Sequence, residues 1–305
     1  MPVTLEPGAV GRYTRACTEV LDLRRVLAFA ACVRAGGEAY QDDTRPDGPV
    51  VHPGLAFALQ FAAQGLPGPP AARAEDWIGV VHAESDLVVH RPLRAGQVVT
   101  TQGRLIARRQ LRPGVGNVER YGIVDERGAL LAELDYTLVF RGAVLAGGDI
   151  EIAAPRPRPA PPAGSDPQPA IELRIGHEAL HQYTAGSGIH APIHTERRVA
   201  QAAGFPDIVL HGSALKSIAL SCIVERHFDG DASRVRRLYG QLRAVVPAGT
   251  SIRIEVLAIE DAGPLRHVWF RVRNHEQRDA LAHGLVSGVP GGPGFDRPPA
   301  PGEGA

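Results

Sequence analysis

The clearest pattern in the chain is a helical run that is apolar on nearly every side. Between Gly212 and Arg226 it carries Ala214, Leu215, Ile218, Ala219, Leu220, Ile223 and Val224. A helix without a wet face must be enclosed by other elements rather than lie on a surface. Elsewhere the period changes from 3.6 to 2. The stretch Ser251-Ile252-Arg253-Ile254-Glu255-Val256 alternates polar and apolar residues, as a strand with one buried face does. Further alternating runs occupy Gly128–Phe140, Arg266–Glu276 and Ala280–Gly288. A sheet wrapped around a buried helix satisfies both patterns and predicts an α+β fold.

The pattern occurs twice, and an internal repeat resets the architecture. Gly48–Ala63 (GPVVHPGLAFALQFAA) sets His52 at the head of an apolar helical run, and Asp207–Ser221 (DIVLHGSALKSIALS) sets His211 and Gly212 in the same place. His90–Ala107 and Arg243–Ala258 each read as a strand, a turn with Pro or Gly, and another strand. Each half therefore predicts a helix followed by three or four antiparallel strands. Pro and Gly concentrate in Ala153–Ala170 and Val289–Ala305, which read as an extended linker and a disordered tail. The expected division is an N-terminal unit over 1–150, a linker over 151–170, a C-terminal unit over 171–288 and a tail over 289–305.

Composition narrows the partners. At roughly 100–200 residues per domain, 305 residues favour two units. Thirty-three basic residues balance thirty-three acidic ones, so no global field draws the chain to nucleic acid or to an anionic membrane. Cys17, Cys32 and Cys222 are widely spaced, as reduced thiols of a cytoplasmic protein are. No stretch approaches the ~18 apolar residues of a membrane span. The twelve histidines include no HExxH, and there is no GxSxG, Walker loop or dinucleotide fingerprint. Neither a metal nor a cofactor is expected.

The segment with chemistry is Tyr183–Gly212, YTAGSGIHAPIHTERRVAQAAGFPDIVLHG. Tyr183, Ser187, Gly188, Pro192, Ile193, His194, Ala203, Gly204, Phe205, Pro206, His211 and Gly212 stand in register with a hydratase signature. The segment resembles that of the MaoC-like, (R)-specific enoyl-thioester hydratases. The resemblance implies a double hotdog: two antiparallel sheets, each wrapped around a central apolar helix. It implies an N-terminal half that houses the acyl tail and a C-terminal half that does the chemistry. The substrate it implies is an acyl thioester of coenzyme A or of an acyl carrier protein. The assembly it suggests is a homodimer, or a heterodimer with a related hotdog protein.

In that family an Asp and a His five residues later hold the water that adds to the double bond. The family Asp falls on Ile189 here and a neighbouring Asn on Ala191. Isoleucine neither accepts nor donates a proton. His194 remains as the acid/base candidate, at an unperturbed pKa of ~6.5. His190 joins it if the loop is helical, since residues four apart then share a face. The backbone N–H of Gly212, at the head of the apolar helix, is placed to bind a thioester carbonyl. Tyr183 and Ser187 are further substrate-binding candidates. Asp42 and Asp43, in the turn-rich loop Ala39–Gly48, are candidates for the missing acid. Two other readings follow from the lost carboxylate: a repurposed thioesterase, isomerase or cyclase, and a non-catalytic acyl-binding subunit.

Overall fold

The computed structural model describes residues 3–65, 79–162 and 168–291. The N-terminal half runs β1 (Thr4–Leu5), β2 (Cys17–Val20), α1 (Leu23–Cys32), α2 (Glu38–Gln41), α3 (Leu55–Ala63), β3 (Val80–Val89), β4 (Val98–Leu111), β5 (Gly114–Asp125) and β6 (Leu130–Arg141), then two short strands, β7 (Val144–Leu145) and β8 (Ile150–Glu151). The C-terminal half repeats the plan as β9 (Ile171–Ile175), α4 (His177–Ser187), α5 (Arg197–Ala202), α6 (Gly212–His227), β10 (Val235–Leu242), β11 (Thr250–Ala262), β12 (Leu265–Arg273) and β13 (Asp279–Gly288). Each half opens with a short edge strand and a helix that the hydrophobic pattern did not reveal. Residues 90–97 and 243–249, expected to begin as strands, form no strand beyond one isolated bridge each, Arg94 with Val50 and Pro247 with Val209.

The two sheets are not separate. The strand order β2-β4-β5-β6-β3-β10-β13-β12-β11-β9 makes them one continuous surface, joined where β3 and β10 pair antiparallel, Leu87 opposite Leu238. The two sides of this seam mirror each other in strand order, as the sequence repeat requires. The concave side encloses α3 and α6. Both are buried along almost their whole length, and one apolar core runs through both halves.

Polar groups fix the seam from both faces. Inside, Lys216 of α6, the only lysine in the chain, is completely buried. Its Nζ donates to Ser85 Oγ (2.5 Å) and to the carbonyls of Ser85 (3.3 Å) and Gly240 (2.5 Å), and these two residues are register partners across β3 and β10. Burial pushes its ammonium down to about 7, with Glu84 and Asp86 opposing. Outside, Asp86 accepts two bonds from Arg237 (2.8 and 2.7 Å). The described part of the linker is pinned to this outer face. Arg156 bonds the Asp86 carbonyl (3.3 Å) and pairs with Glu133 and Asp135, Arg158 pairs with Glu84 (2.8 Å), and Arg237 reaches the Pro157 carbonyl (3.3 Å). Residues 163–167 of the linker, and the tail from residue 292, lie outside the described residues.

Removing the carboxylate of Asp86 leaves Arg237 unpaired at a half-buried position. Asp86→Ala is expected to cost about 2–3 kcal/mol, less than a fully buried pair because the guanidinium keeps some solvent. A urea titration reads this as a lower midpoint at unchanged slope.

Candidate active site

The loop that carries the chemistry starts where α4 stops. Gly188 adopts φ 73°, a left-handed cap open to glycine at no steric cost, and its N–H closes on the Thr184 carbonyl. Ser187 Oγ donates to the Tyr183 carbonyl (2.6 Å) and accepts from the Ile189 N–H (3.1 Å), so this hydroxyl builds the turn itself. The chain then passes Ile189, whose side chain is buried, and forms a single 3-10 turn, Pro192–His194.

His194 is held by its backside. Nδ1–H donates to the Val209 carbonyl (2.6 Å), and among the described residues Nε2 has no partner. Its ring stacks on His211 at 3.7 Å between centroids and 25° between planes. His211 in turn donates Nε2–H to the Ile189 carbonyl (3.2 Å) and meets the Tyr183 ring at 5.0 Å. Burial lowers the pKa of His194 below the ordinary histidine value. Burial, with His194 alongside, drives His211 down to about 2. Both rings are therefore neutral near pH 7, and His194 presents a lone pair on Nε2.

A second clamp sets the strand leading into α6. Asp207 accepts from Arg197 Nε (2.9 Å) and from the Ile208 N–H (2.8 Å), and pairs with His177 (2.9 Å). The Arg197 hydrogen bond, the largest effect, holds its carboxyl down at about 2. Beyond it, the Leu210 N–H bonds the Val246 carbonyl (2.8 Å), which delivers His211 and Gly212 to the head of α6.

No side chain caps that helix, so its first N–H groups and positive end face the space beside His211. A Cβ at Gly212 would stand 2.1 Å from Leu242 Cδ1 and 3.5 Å from His82 Nδ1. Only the tip of the Leu242 side chain crowds a Cβ there, while His82 stands at ordinary contact distance. Four buried polar atoms without a hydrogen-bond partner gather around the first two turns: Tyr183 Oη, His211 Nδ1, Ser217 Oγ and His82 Nε2.

The structure unites some of the expected residues and separates others. His194, Gly212 and Tyr183 surround the head of α6. Tyr183 is wholly buried, packed on Phe29 and His211. Ser187 is buried, with its hydroxyl spent on the turn; it borders a cleft of about 500 Å³ that Arg15, Arg25, Phe61 and Gly188 also line. His190 is exposed in a stretch that is not helical, so the condition for pairing it with His194 on one helix face fails. Asp42 is occupied with Thr44, accepting from its N–H (2.9 Å) and its hydroxyl (2.5 Å). Asp43 is exposed. Their loop lies against the far end of α6, where Gly37 neighbours Glu225 and Tyr40 neighbours Ala232. A 16-residue helix is roughly 24 Å long, so neither aspartate replaces the lost acid beside His194.

The repeated histidine also has a fixed role. His52, the counterpart of His211, is buried; its Nδ1 accepts from the Gly54 N–H (3.1 Å) and its Nε2 meets Ser221 Oγ (3.2 Å) on α6. His82, which no motif singles out, stands at the head of α6 from the other half of the chain. Among the described residues no group of three His, Cys, Asp or Glu side chains is placed to hold a metal ion. No helix among them is long and apolar enough to cross a membrane.

Comparison with known proteins agrees with this architecture. The whole fold is similar to a MaoC-like dehydratase from Phytophthora capsici, at 17% identity over 92% of this chain and 96% of that one, with a TM-score of 0.76. It is also similar to the full-length peroxisomal multifunctional enzyme type 2 from Drosophila melanogaster, at 16% identity and a TM-score of 0.71 over 92% of this chain but only 48% of the longer protein. A Mycobacterium tuberculosis protein described as having a double hotdog fold matches at 15% identity over 92% of this chain and 96% of that one, with a TM-score of 0.64. No curated protein matches the sequence. The chain therefore has the double hotdog fold, and within its C-terminal half residues 159–276 match the family described as MaoC like domain.

Proposed function

We propose that the chain hydrates an α,β-unsaturated acyl thioester, or runs the reverse dehydration, at the N-terminal end of α6 with His194 as the proton carrier. One observation carries this reading: a neutral imidazole, fixed through Nδ1, presents Nε2 beside an uncapped helix end. In hydration Nε2 takes a proton from water as the water oxygen bonds C3. The π-electron pair moves through C2 into the thioester carbonyl, where the Gly212 N–H and the helix end stabilise the charge. The imidazolium then gives that proton to C2. One group used twice balances the reaction without the carboxylate that Ile189 displaces. The MaoC-like domain supports the substrate class, with coenzyme A or an acyl carrier protein as carrier.

Burial holds the pKa of His194 down, so the base stays unprotonated at lower pH than an exposed histidine. The acid limb of kcat/KM is expected to bend below pH ~6.5; a midpoint at or above that value contradicts the assignment.

Ile189 favours one other reading, an acyl-binding subunit paired with a related hotdog protein that retains the carboxylate. The two are separated by assaying the purified chain alone with crotonyl-coenzyme A and trans-2-decenoyl-coenzyme A, following loss of the enoyl absorbance. Turnover on either supports the enzyme. Tight binding without turnover supports the subunit, and neither binding nor turnover removes both.

A further inference from the structure

A thioester carbonyl at Gly212 brings its carrier with it, and a nucleotide or a protein is too large to be enclosed beside a buried helix. A path to solvent must start at the head of α6. The cleft of about 500 Å³ beside Ser187 and Gly188 is placed to be that path. Its volume lies within the roughly 300–1,000 Å³ of small-molecule sites.

Two contacts fix how the cleft stands to α6. His52 Nε2 meets Ser221 Oγ (3.2 Å), and a Cβ on Gly54 would stand 2.2 Å from Ser217 Oγ. The chain therefore advances along α3 as it goes back along α6. Four residues add roughly 6 Å to either helix, so Ala58 comes level with Ser213. The Phe57 ring agrees, at 6.3 Å from that of His82, which borders Gly212. Ala58 and Phe61 line the cleft from α3, and Ser187 and Gly188 line it from the end of α4. A Cβ on Gly188 would meet nothing within 4 Å, and the next residue, Ile189, gives its carbonyl to His211. The inner end of the cleft is thus one residue of the loop away from the stacked histidines.

The other end is cationic. Arg15 and Arg25 line it, one turn of α3 beyond Ala58, where Arg15 donates to the Ala62 carbonyl (3.3 Å). Glu19 pairs with Arg25 and cancels one of the two charges. Arg15 is exposed, and one bond to a carbonyl leaves most of the five N–H donors of a guanidinium for a ligand. The chain carries no net charge, so a local cation and not a global field has to select an anionic carrier.

We propose that this cleft is the path of the carrier arm, with pantetheine lying between α3 and the end of α4 and Arg15 binding a phosphate of the carrier. This rests on the reading of an acyl thioester at α6 and deepens it by locating the carrier. The arm ends in a phosphate both in coenzyme A and on an acyl carrier protein, and a guanidinium binds phosphate through paired charge-assisted hydrogen bonds.

The test measures binding of saturated thioesters, which cannot be hydrated: butyryl-coenzyme A, butyryl-4′-phosphopantetheine, and butyryl-pantetheine, which has no phosphate. The full chain is compared by calorimetry with Arg15→Gln, Arg15→Lys and Ala185→Trp, whose indole fills the cleft. Arg15 and Ala185 are both exposed, so these variants leave the core intact. Arg15→Gln is expected to weaken butyryl-coenzyme A on the order of tenfold without weakening butyryl-pantetheine, and Arg15→Lys to recover part of the loss. An equal loss on butyryl-4′-phosphopantetheine assigns the contact to the phosphate that both carriers share. A loss confined to coenzyme A assigns it to that carrier's own phosphates. Ala185→Trp is expected to weaken all the thioesters alike. The proposal is overturned if Arg15→Gln changes no affinity, if it weakens the unphosphorylated thioester equally, or if Ala185→Trp binds like wild type. A chain that binds in this Arg15-dependent way but hydrates no enoyl thioester removes the hydratase reading and leaves this inference standing. Hydration of an enoyl-coenzyme A whose affinity ignores Arg15 does the reverse. A wild type that binds no thioester removes both.

Discussion

Lowering the pH from 6.5 to 4.5 is expected to remove about 5 kcal/mol of folding stability, an amount comparable with the whole stability of many domains. His52 and His211 are both buried and neutral, with folded-state pKa values of about 3 and about 2, pushed down chiefly by burial. In the unfolded chain each titrates near 6.5. Above that pH the two states bind equal numbers of protons at these sites. Below it the unfolded chain takes up two protons that the folded chain refuses, at about 1.4 kcal/mol per site per pH unit. The loss therefore begins as the pH falls through 6.5 and ends only near the folded values. His82 and His194, also lowered by burial, act in the same direction. Asp207 does not offset this, because its carboxyl stays ionised down to about 2. Urea titrations at pH 7.5, 6.0 and 5.0 should give a falling midpoint, and His52→Gln should reduce the slope by about one proton. A midpoint that is flat between pH 6.5 and 5 contradicts the burial of these rings.

Restoring the lost carboxylate has the largest expected effect on rate. Ile189 leads into the loop that ends at His194, and its own carbonyl accepts from His211. Ile189→Asp with Ala191→Asn returns to this loop a group that orients water while His194 takes its proton. Hydration of crotonyl-coenzyme A should rise on the order of a hundredfold, the size of one added acid/base group. The exchange has a structural cost. The Ile189 side chain is buried, so the new carboxylate loses solvent, its pKa rises, and stability falls by about 1–3 kcal/mol. A faster, less stable enzyme is the expected outcome. If the rate does not change while the variant remains folded, His194 is not waiting for a partner at that position.

Most of the architecture is legible in the sequence, because α6 has no polar face and the strands alternate. The apolar stretch from Gly212 to Arg226 matches Gly212–His227, and Ser251–Val256 lies within Thr250–Ala262. The edge strands are short, and α1 and α4 are partly wet helices, so neither pair stands out from the pattern. The fusion of two sheets into one is also hidden, because it depends on pairing between β3 and β10 and not on either strand alone. At the site, His194 and Gly212 are legible from the register of a local motif. His82 is not: period-two reasoning turns it outward, and the bulge after it reverses the answer. The aspartates at 42 and 43 mislead for a related reason. Sequence brings acidic residues to a loop but does not say which end of a 24 Å helix, roughly, that loop will face.

The most direct measurement compares wild type with His194→Ala for both turnover and binding of a 2-enoyl-coenzyme A. If His194 carries the proton, the variant loses a factor on the order of a thousand in kcat while its affinity for the thioester changes less than about threefold, since the interaction lost belongs to the transition state. Equal turnover by the two proteins, or a loss entirely in affinity, contradicts the account.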